Sequence, residues 1–222
     1  MPAPDVHIVI IDGKPGSGRK TLAFELALTL LYNAQKTALL LTPDSPLRKT
    51  LQKRKEKFPT LLTPAILNRE EFEAKAGDFN AIIIPETNAK DNLAALASTY
   101  ITMLPANKKN AEFFRKNPSY INSIWELKKK IAATYNHSLD WVVCENNLSG
   151  HFISEPSAEL AAVARTCGFR TTAPLNRRLA YQTVTTGISA QDKSLIELKN
   201  TLTYEDICAK RELTKLAEFI FS

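Results

Sequence analysis

Short apolar runs and helical patterns alternate along this chain. Residues 6–11 form a β-branched run closed by Asp12-Gly13. Leu22, Leu26 and Leu30 on one face, with Phe24, Leu28 and Leu31 on another, predict a helix over 20–33. The next strand is expected over 37–42, broken by Pro43-Asp44-Ser45-Pro46. The basic segment 47–57 reads as an exposed helix, 60–67 as a short strand weakened by Pro64, and 69–76 as a short helix. Residues 79–85 end in Ile82-Ile83-Ile84, the continuous apolar run of a strand buried on both faces. A helix over 91–98 and a strand over 100–104 follow, then a polar stretch, 107–120, expected as a surface excursion. The pattern continues with a helix over 121–135, a strand over 140–144, a helix over 155–167, a strand over 169–172 and a last helix over 205–221. Trp125 in the first of these helices and Trp141 in the strand after it are expected as core residues.

Strands separated by helices imply right-handed βαβ crossovers. The expected class is α/β, a mostly parallel central sheet with helices on both faces, in a single domain spanning 1–222. In such sheets ligands bind beyond the carboxyl ends of the strands, so chemistry is sought in the loops after Ile11, Thr42, Ile84 and Cys144.

Composition narrows the function. Hydrophobic residues make up 44% and charged residues 23% of 222 positions, enough apolar mass for a buried sheet. The net charge of +6 favours weak, salt-sensitive contact with anionic polymers, or else reflects a solvated lysine face. Cys144, Cys167 and Cys208 are odd in number and far apart, which argues against a disulfide framework and for reduced thiols in a cytoplasmic protein. His7, His137 and His151 have no metal-ligand spacing. The N-terminus lacks the pattern of a secretory signal, and no apolar run reaches the ~18 residues of a membrane span.

The chemistry-bearing segment is Gly13-Lys14-Pro15-Gly16-Ser17-Gly18-Arg19-Lys20-Thr21, between the first strand and the first helix. Glycines there let successive N–H groups turn towards phosphate oxygens at a helix N-terminus. The pattern G-x-x-x-x-G-K-[ST] fits at Gly13 and Gly18. It then departs, with Arg19 where lysine belongs and Lys20 where the magnesium-binding hydroxyl belongs. Slipping the register to use Lys20-Thr21 as the K-T pair lengthens the loop by one residue. The ungapped register keeps the distances to strand and helix. A glycine-rich turn with no ligand is the alternative.

This loop resembles that of the ParA/MinD class of P-loop ATPases, K-G-G-x-G-K-[ST]. Lys14 matches the leading lysine, Gly16 and Gly18 match glycines, and Pro15 replaces one. Within the class the chain is similar to the MipZ division-plane positioning ATPases. The similarity is carried, in the same order, by Ser123-Ile124-Trp125-Glu126, by Asp140-Trp141-Val142-Val143-Cys144-Glu145-Asn146-Asn147-Leu148, by Gly168-Phe169-Arg170 and by the arginine-bearing 175–181. The resemblance implies a nucleotide-binding protein of division-site or chromosome positioning and a nucleotide-dependent homodimer that Lys14 would bridge. It also implies contact of Asn146 with adenine, a division or segregation protein as partner, and non-specific DNA contact through basic clusters. Lys128-Lys129-Lys130 and Arg177-Arg178 are the candidate clusters, with solvated faces as the alternative.

The departures fall on the metal. The class carries acidic residues after the second strand and at the end of the Walker B strand. Here the first place holds Pro43, or Asp44 after a one-residue slip, and the second holds Pro85, with Glu86 turned the other way by strand alternation. Magnesium takes hard oxygen ligands, which neither Lys20 nor Pro85 supplies. ATP is therefore the expected cofactor, Mg²⁺ is doubtful, and hydrolysis is expected to be weak or absent, with Asp44 the one candidate for positioning water. Either the Lys20 ammonium stands in for the metal charge, or nucleotide binding has been lost, Lys20 pairs with a carboxylate such as Asp44, and the chain is a non-catalytic interaction scaffold. A small-molecule kinase is the weakest alternative, since no substrate-side acid–base set is visible.

Overall fold

A computed structural model describes residues 6–87, 89–105, 110–148, 156–195 and 201–221. In chain order the elements are β1 (His7–Gly13), α1 (Arg19–Tyr32), β2 (Thr37–Leu40), α2 (Pro46–Lys57), β3 (Ala65–Leu67), α3 (Arg69–Lys75), β4 (Ala81–Ile84), β5 (Thr99–Pro105), α4 (Asn110–Lys116), α5 (Pro118–Tyr135), β6 (Asp140–Leu148), α6 (Ala158–Cys167), β7 (Arg170–Thr171), β8 (Leu175–Asn176), α7 (Leu179–Gln182) and α8 (Tyr204–Phe221). Every described pairing of these strands is parallel, so the chain has the expected α/β class. The expected helix over 91–98 is instead a short 3-10 turn, Asn92–Leu96, started by the Asp91 side chain accepting from Leu93 N–H. Expected contributions from His151 and Glu155 lie outside the described residues. No helix among the described residues is long and apolar enough to cross a membrane.

The chain packs as two compact units. One is built from His7–Arg19 and Glu86–Asn176. In it β5 lies between β1 and β6, and β7 and β8 both pair with β6. The register sets Asp12 opposite Thr102 and Ile10 opposite Tyr100. Its core joins the buried face of β1 to Trp141, Phe114 and Phe169, whose rings meet at 4.7–6.1 Å between centroids. Phe114 corrects the reading of 107–120 as a surface excursion. Residues 110–116 are helical, Ala111 and Phe114 are buried three apart on one face, and the Asn110 amide donates to Pro105 O at 3.0 Å and to Glu145 Oε1 at 2.8 Å. Trp125 is corrected too. It remains 40% exposed, donating Nε1–H to Cys167 O at 3.1 Å while its ring closes over Gly168, the left-handed C-cap of α6.

The other unit contains Lys20–Pro85 and Arg177–Ser222, with strand order β3-β2-β4. Every residue of β2 and β4 is buried, as their unbroken apolar runs require. Helix α2 is not simply exposed, because Leu47, Leu51 and Arg54 form a buried stripe at helical spacing. Arg54 is fully buried. It donates to Asp192 at 2.5 and 2.8 Å, to Gly187 O at 2.7 Å and to Leu62 O at 2.8 Å. Asp192 also accepts from Tyr32 Oη at 2.6 Å and from Ser189 N–H at 2.7 Å, so the turn Ala190–Ser194 is tied to both α1 and α2.

Beside this pair lies Glu25 of α1, also buried, accepting from Ser189 Oγ at 2.6 Å and from Ala190 N–H at 3.1 Å. Burial lifts its carboxyl to about 8, against the opposing pull of those hydrogen bonds. A group raised in the folded state binds its proton more tightly there than in the unfolded chain. The stability it contributes is therefore greatest below the ordinary glutamate value and is lost as pH rises through about 8. Glu25→Gln should flatten this decline and leave the protein more stable than the parent at pH 9. Denaturant midpoints from pH 5 to 9 check it, and a parent profile that rises across this range would contradict the assignment.

Candidate phosphate-loop site

The loop begins where β1 ends. Gly13 has φ +153° and lies so close to Met103 O and Ser17 Oγ that a Cβ would collide with both. Ser17 N–H then donates to Lys14 O at 3.0 Å, with Pro15 and Gly16 at the two central positions and Gly16 at φ +81°. These are the features of a type II turn, in which proline suits the first central position and glycine the second. That accounts for Pro15 standing where the resembled loop has glycine. Gly18, at φ +93°, completes the curl immediately before α1 starts at Arg19. A Cβ there would overlap the Asn146 amide. The strand–loop–helix order and the positive-φ glycines give backbone N–H groups access to an anion at a helix N-terminus.

Asn146, on β6, donates Nδ2–H to Ser17 O at 2.8 Å. The strand runs further than the expected 140–144, so Asn146 lies within it rather than after it, and the contact it makes is with the loop backbone. Ser17 itself is buried, and its Oγ has no hydrogen-bond partner among the described residues. A buried orphan hydroxyl in a glycine-rich cradle is a donor waiting for an acceptor, since leaving it unpaired costs about 1–3 kcal/mol. Lys14 is exposed and holds its ammonium 5.0 Å from the centroid of the Phe113 ring.

Sequence reasoning did not single out Asp12. Its carboxylate is buried and accepts from Tyr100 Oη at 2.6 Å, Tyr120 Oη at 3.1 Å and Gly13 N–H at 2.7 Å. Tyr120 Oη also meets Thr102 Oγ1 at 2.9 Å, and Thr102 accepts from Trp141 Nε1–H at 2.9 Å. Burial, reinforced by the Asp12 charge, holds both phenols well above the ordinary tyrosine range, so they remain donors. Asp12, Gly13, Lys14, Met103, Phe113 and Tyr120 help to line a cavity of about 490 Å³ beside the loop. Arg19 Nη1 stands 3.9 Å from Asp12 Oδ1.

The remaining sequence candidates belong to the other unit or to α5. Lys20 and Thr21 are half-buried in the first turn of α1, Asp44 is exposed in its turn, and Pro85 is buried directly after β4. The glycines and Ser17 suit a phosphate, whereas an ammonium at Lys20 and a proline ring at Pro85 offer no oxygen to Mg²⁺. Among the basic clusters, Lys128 lies over Trp125 at 5.2 Å and Lys129 pairs with Glu126 at 2.7 Å. Lys130 and Arg177 are exposed. Arg178 is turned inward onto Glu212 at 2.6 Å and Glu205 at 3.5 Å.

A parallel α/β fold with a glycine-curled loop between its first strand and first helix is the arrangement of the ParA/MinD-type P-loop fold. McdA from Cyanothece, solved without nucleotide, is similar over 98% of this chain and 100% of its own, at 16% identity and a TM-score of 0.61. MinD from Aquifex aeolicus matches over 97% of each chain at 10% identity and the same TM-score. MinD from Pyrococcus horikoshii, complexed with Mg-ADP, matches over 97% and 96% at 13% identity and 0.55. The profile of the family described as ATPase MipZ matches residues 102–220, and the chain belongs to that family. No curated protein matches it in sequence. The matched span contains the segments around Trp125, Trp141 and Phe169 and begins beyond the loop.

Proposed function

We propose that the chain is a MipZ-type nucleotide-binding protein of division-site or chromosome positioning that takes ATP without relying on Mg²⁺ and hydrolyses it slowly or not at all. The observation that carries this reading is the loop itself. Gly16 and Gly18 hold positive φ around a buried Ser17 hydroxyl with no partner among the described residues, and the sequence carries Lys20 and Pro85 where the resembled class has its metal oxygens. Gly13, Lys14, Gly16, Ser17, Gly18, Arg19, Lys20 and Thr21 would hold the phosphates, the Lys20 ammonium replacing part of the metal charge. Asn146 would act by fixing the loop through Ser17 O.

The structures of related fold support the ligand class: McdA has been solved with ATP, and Pyrococcus MinD with Mg-ADP. The complex of MinC with MinD makes a protein partner the natural expectation. A homodimer bridged by Lys14 would require that lysine to leave the Phe113 ring. Non-specific DNA contact would fall to Lys130 and Arg177, and the protein would work in the cytoplasm.

A second reading is a scaffold that has lost nucleotide. It is favoured by the family match starting only at residue 102, so that the loop lies outside it. Titrating the purified protein with ATP in EDTA separates the two: saturable binding supports the first, and no binding transfers the case to the second.

A further inference from the structure

A phosphate loop draws its affinity from positive charge facing the anion, and in this chain the cation at the lysine position already faces a carboxylate. Asp12 is fixed by three donors: Gly13 N–H on Oδ1 and the two phenols of Tyr100 and Tyr120 on Oδ2. Those contacts come from β1, β5 and α5, so the carboxylate cannot swing away from the loop without breaking several elements' hydrogen bonds at once. Its Oδ1 is the oxygen nearest Arg19, at 3.9 Å, and the side chains are 12% and 26% exposed. Arg19 is the longer, more flexible partner, and its planar fork can address a carboxylate or a phosphate but not both with full geometry.

We propose that Asp12 is a built-in counter-anion of the phosphate loop, holding the Arg19 guanidinium in the ligand-free protein so that an incoming polyphosphate must compete with it for Arg19. This rests on the reading of the loop as a phosphate site. Asp12 is a positioning residue: it touches Arg19 and the loop backbone, and it sets the threshold affinity and charge of the anion that the loop retains. An anion able to use Arg19 bidentately wins the competition, and one that gains nothing from Arg19 does not. The two tyrosines keep Asp12 directed at the loop, which gives Tyr100 and Tyr120 a function beyond the core.

Two readouts on the full chain test this at low ionic strength. The first is the rate at which phenylglyoxal modifies Arg19 in the ligand-free protein, followed by peptide mass spectrometry. The second is calorimetric titration with inorganic tripolyphosphate and with ATP, both in EDTA. Asp12→Asn keeps the shape and removes the charge. Arg19 should then react about two- to fivefold faster and the polyphosphates bind about two- to fivefold more tightly, the range for a partly exposed pair. In an Arg19→Gln background the gain in affinity should vanish. Should Asp12→Asn fail to fold, Tyr120→Phe gives a second route: with one of the donors that direct it gone, Asp12 holds Arg19 less firmly, so modification quickens, and unchanged or slower modification overturns the proposal. Unchanged Arg19 reactivity, or equal or weaker binding by Asp12→Asn while the parent binds, overturns the counter-anion alone. Absence of polyphosphate binding by the parent and by Asp12→Asn overturns the competition together with the phosphate reading.

Discussion

Arg54→Leu should cost about 3–5 kcal/mol of folding stability, the loss expected when one member of a buried, hydrogen-bonded ion pair is removed and the other is left behind. Asp192 is fully buried, and Arg54 is the cation that bonds it directly. The same substitution also strips Gly187 O and Leu62 O of their donor. Against a typical total of about 5–15 kcal/mol, this leaves the variant near its unfolding midpoint under mild conditions. Urea denaturation reads the loss directly. Arg54→Leu with Asp192→Asn should lose less than the sum of the two single changes, because the second change removes the stranded charge. A loss below about 1 kcal/mol in Arg54→Leu would mean that the turn Ala190–Ser194 is held by its other contacts, chiefly those to Glu25.

The second large effect is on metal dependence. Lys20→Thr alone removes an ammonium that would face phosphate, so ATP binding in EDTA should weaken without any gain in hydrolysis. Pro85→Asp alone adds a carboxylate with no hydroxyl to share its ion. Together they restore both oxygen donors, and Mg²⁺ should then strengthen ATP binding by about tenfold, within the coupling expected of two residues that serve one partner. Turnover is gained only if Asp44 positions water. Titrations of the two singles and the double with and without Mg²⁺ decide it. A double variant that behaves as the sum of two inert singles would show that these positions do not address a common ion.

The strands were readable because burial on both faces leaves a continuous apolar run: Ile82-Ile83-Ile84 and Val142-Val143 could hardly be anything else. Helix α4 was missed because its buried residues, Ala111 and Phe114, are two among charged and amide neighbours, and polarity outweighed a spacing of three. Arg54 was hidden by residue type. Its helical spacing from Leu47 and Leu51 predicts burial, while eight other residues of α2 are charged or polar enough to suggest a solvated face. In the candidate site, the glycines announced the curl of the loop, and Pro15 was at home in it for a reason that only the turn geometry makes plain. Asp12 needed knowledge that a single sequence does not carry. Only the register of β1 on β5 puts Tyr100 and Thr102 on the same face as its carboxylate.

The most direct test of a metal-independent phosphate loop is isothermal titration of the parent protein with ATP, once in Mg²⁺ and once in EDTA. The account predicts saturable binding in both, with affinities within about twofold of each other, because the residues at the metal positions give Mg²⁺ nothing to hold. Binding that appears only with Mg²⁺, or that falls by about tenfold or more on chelation, would contradict it.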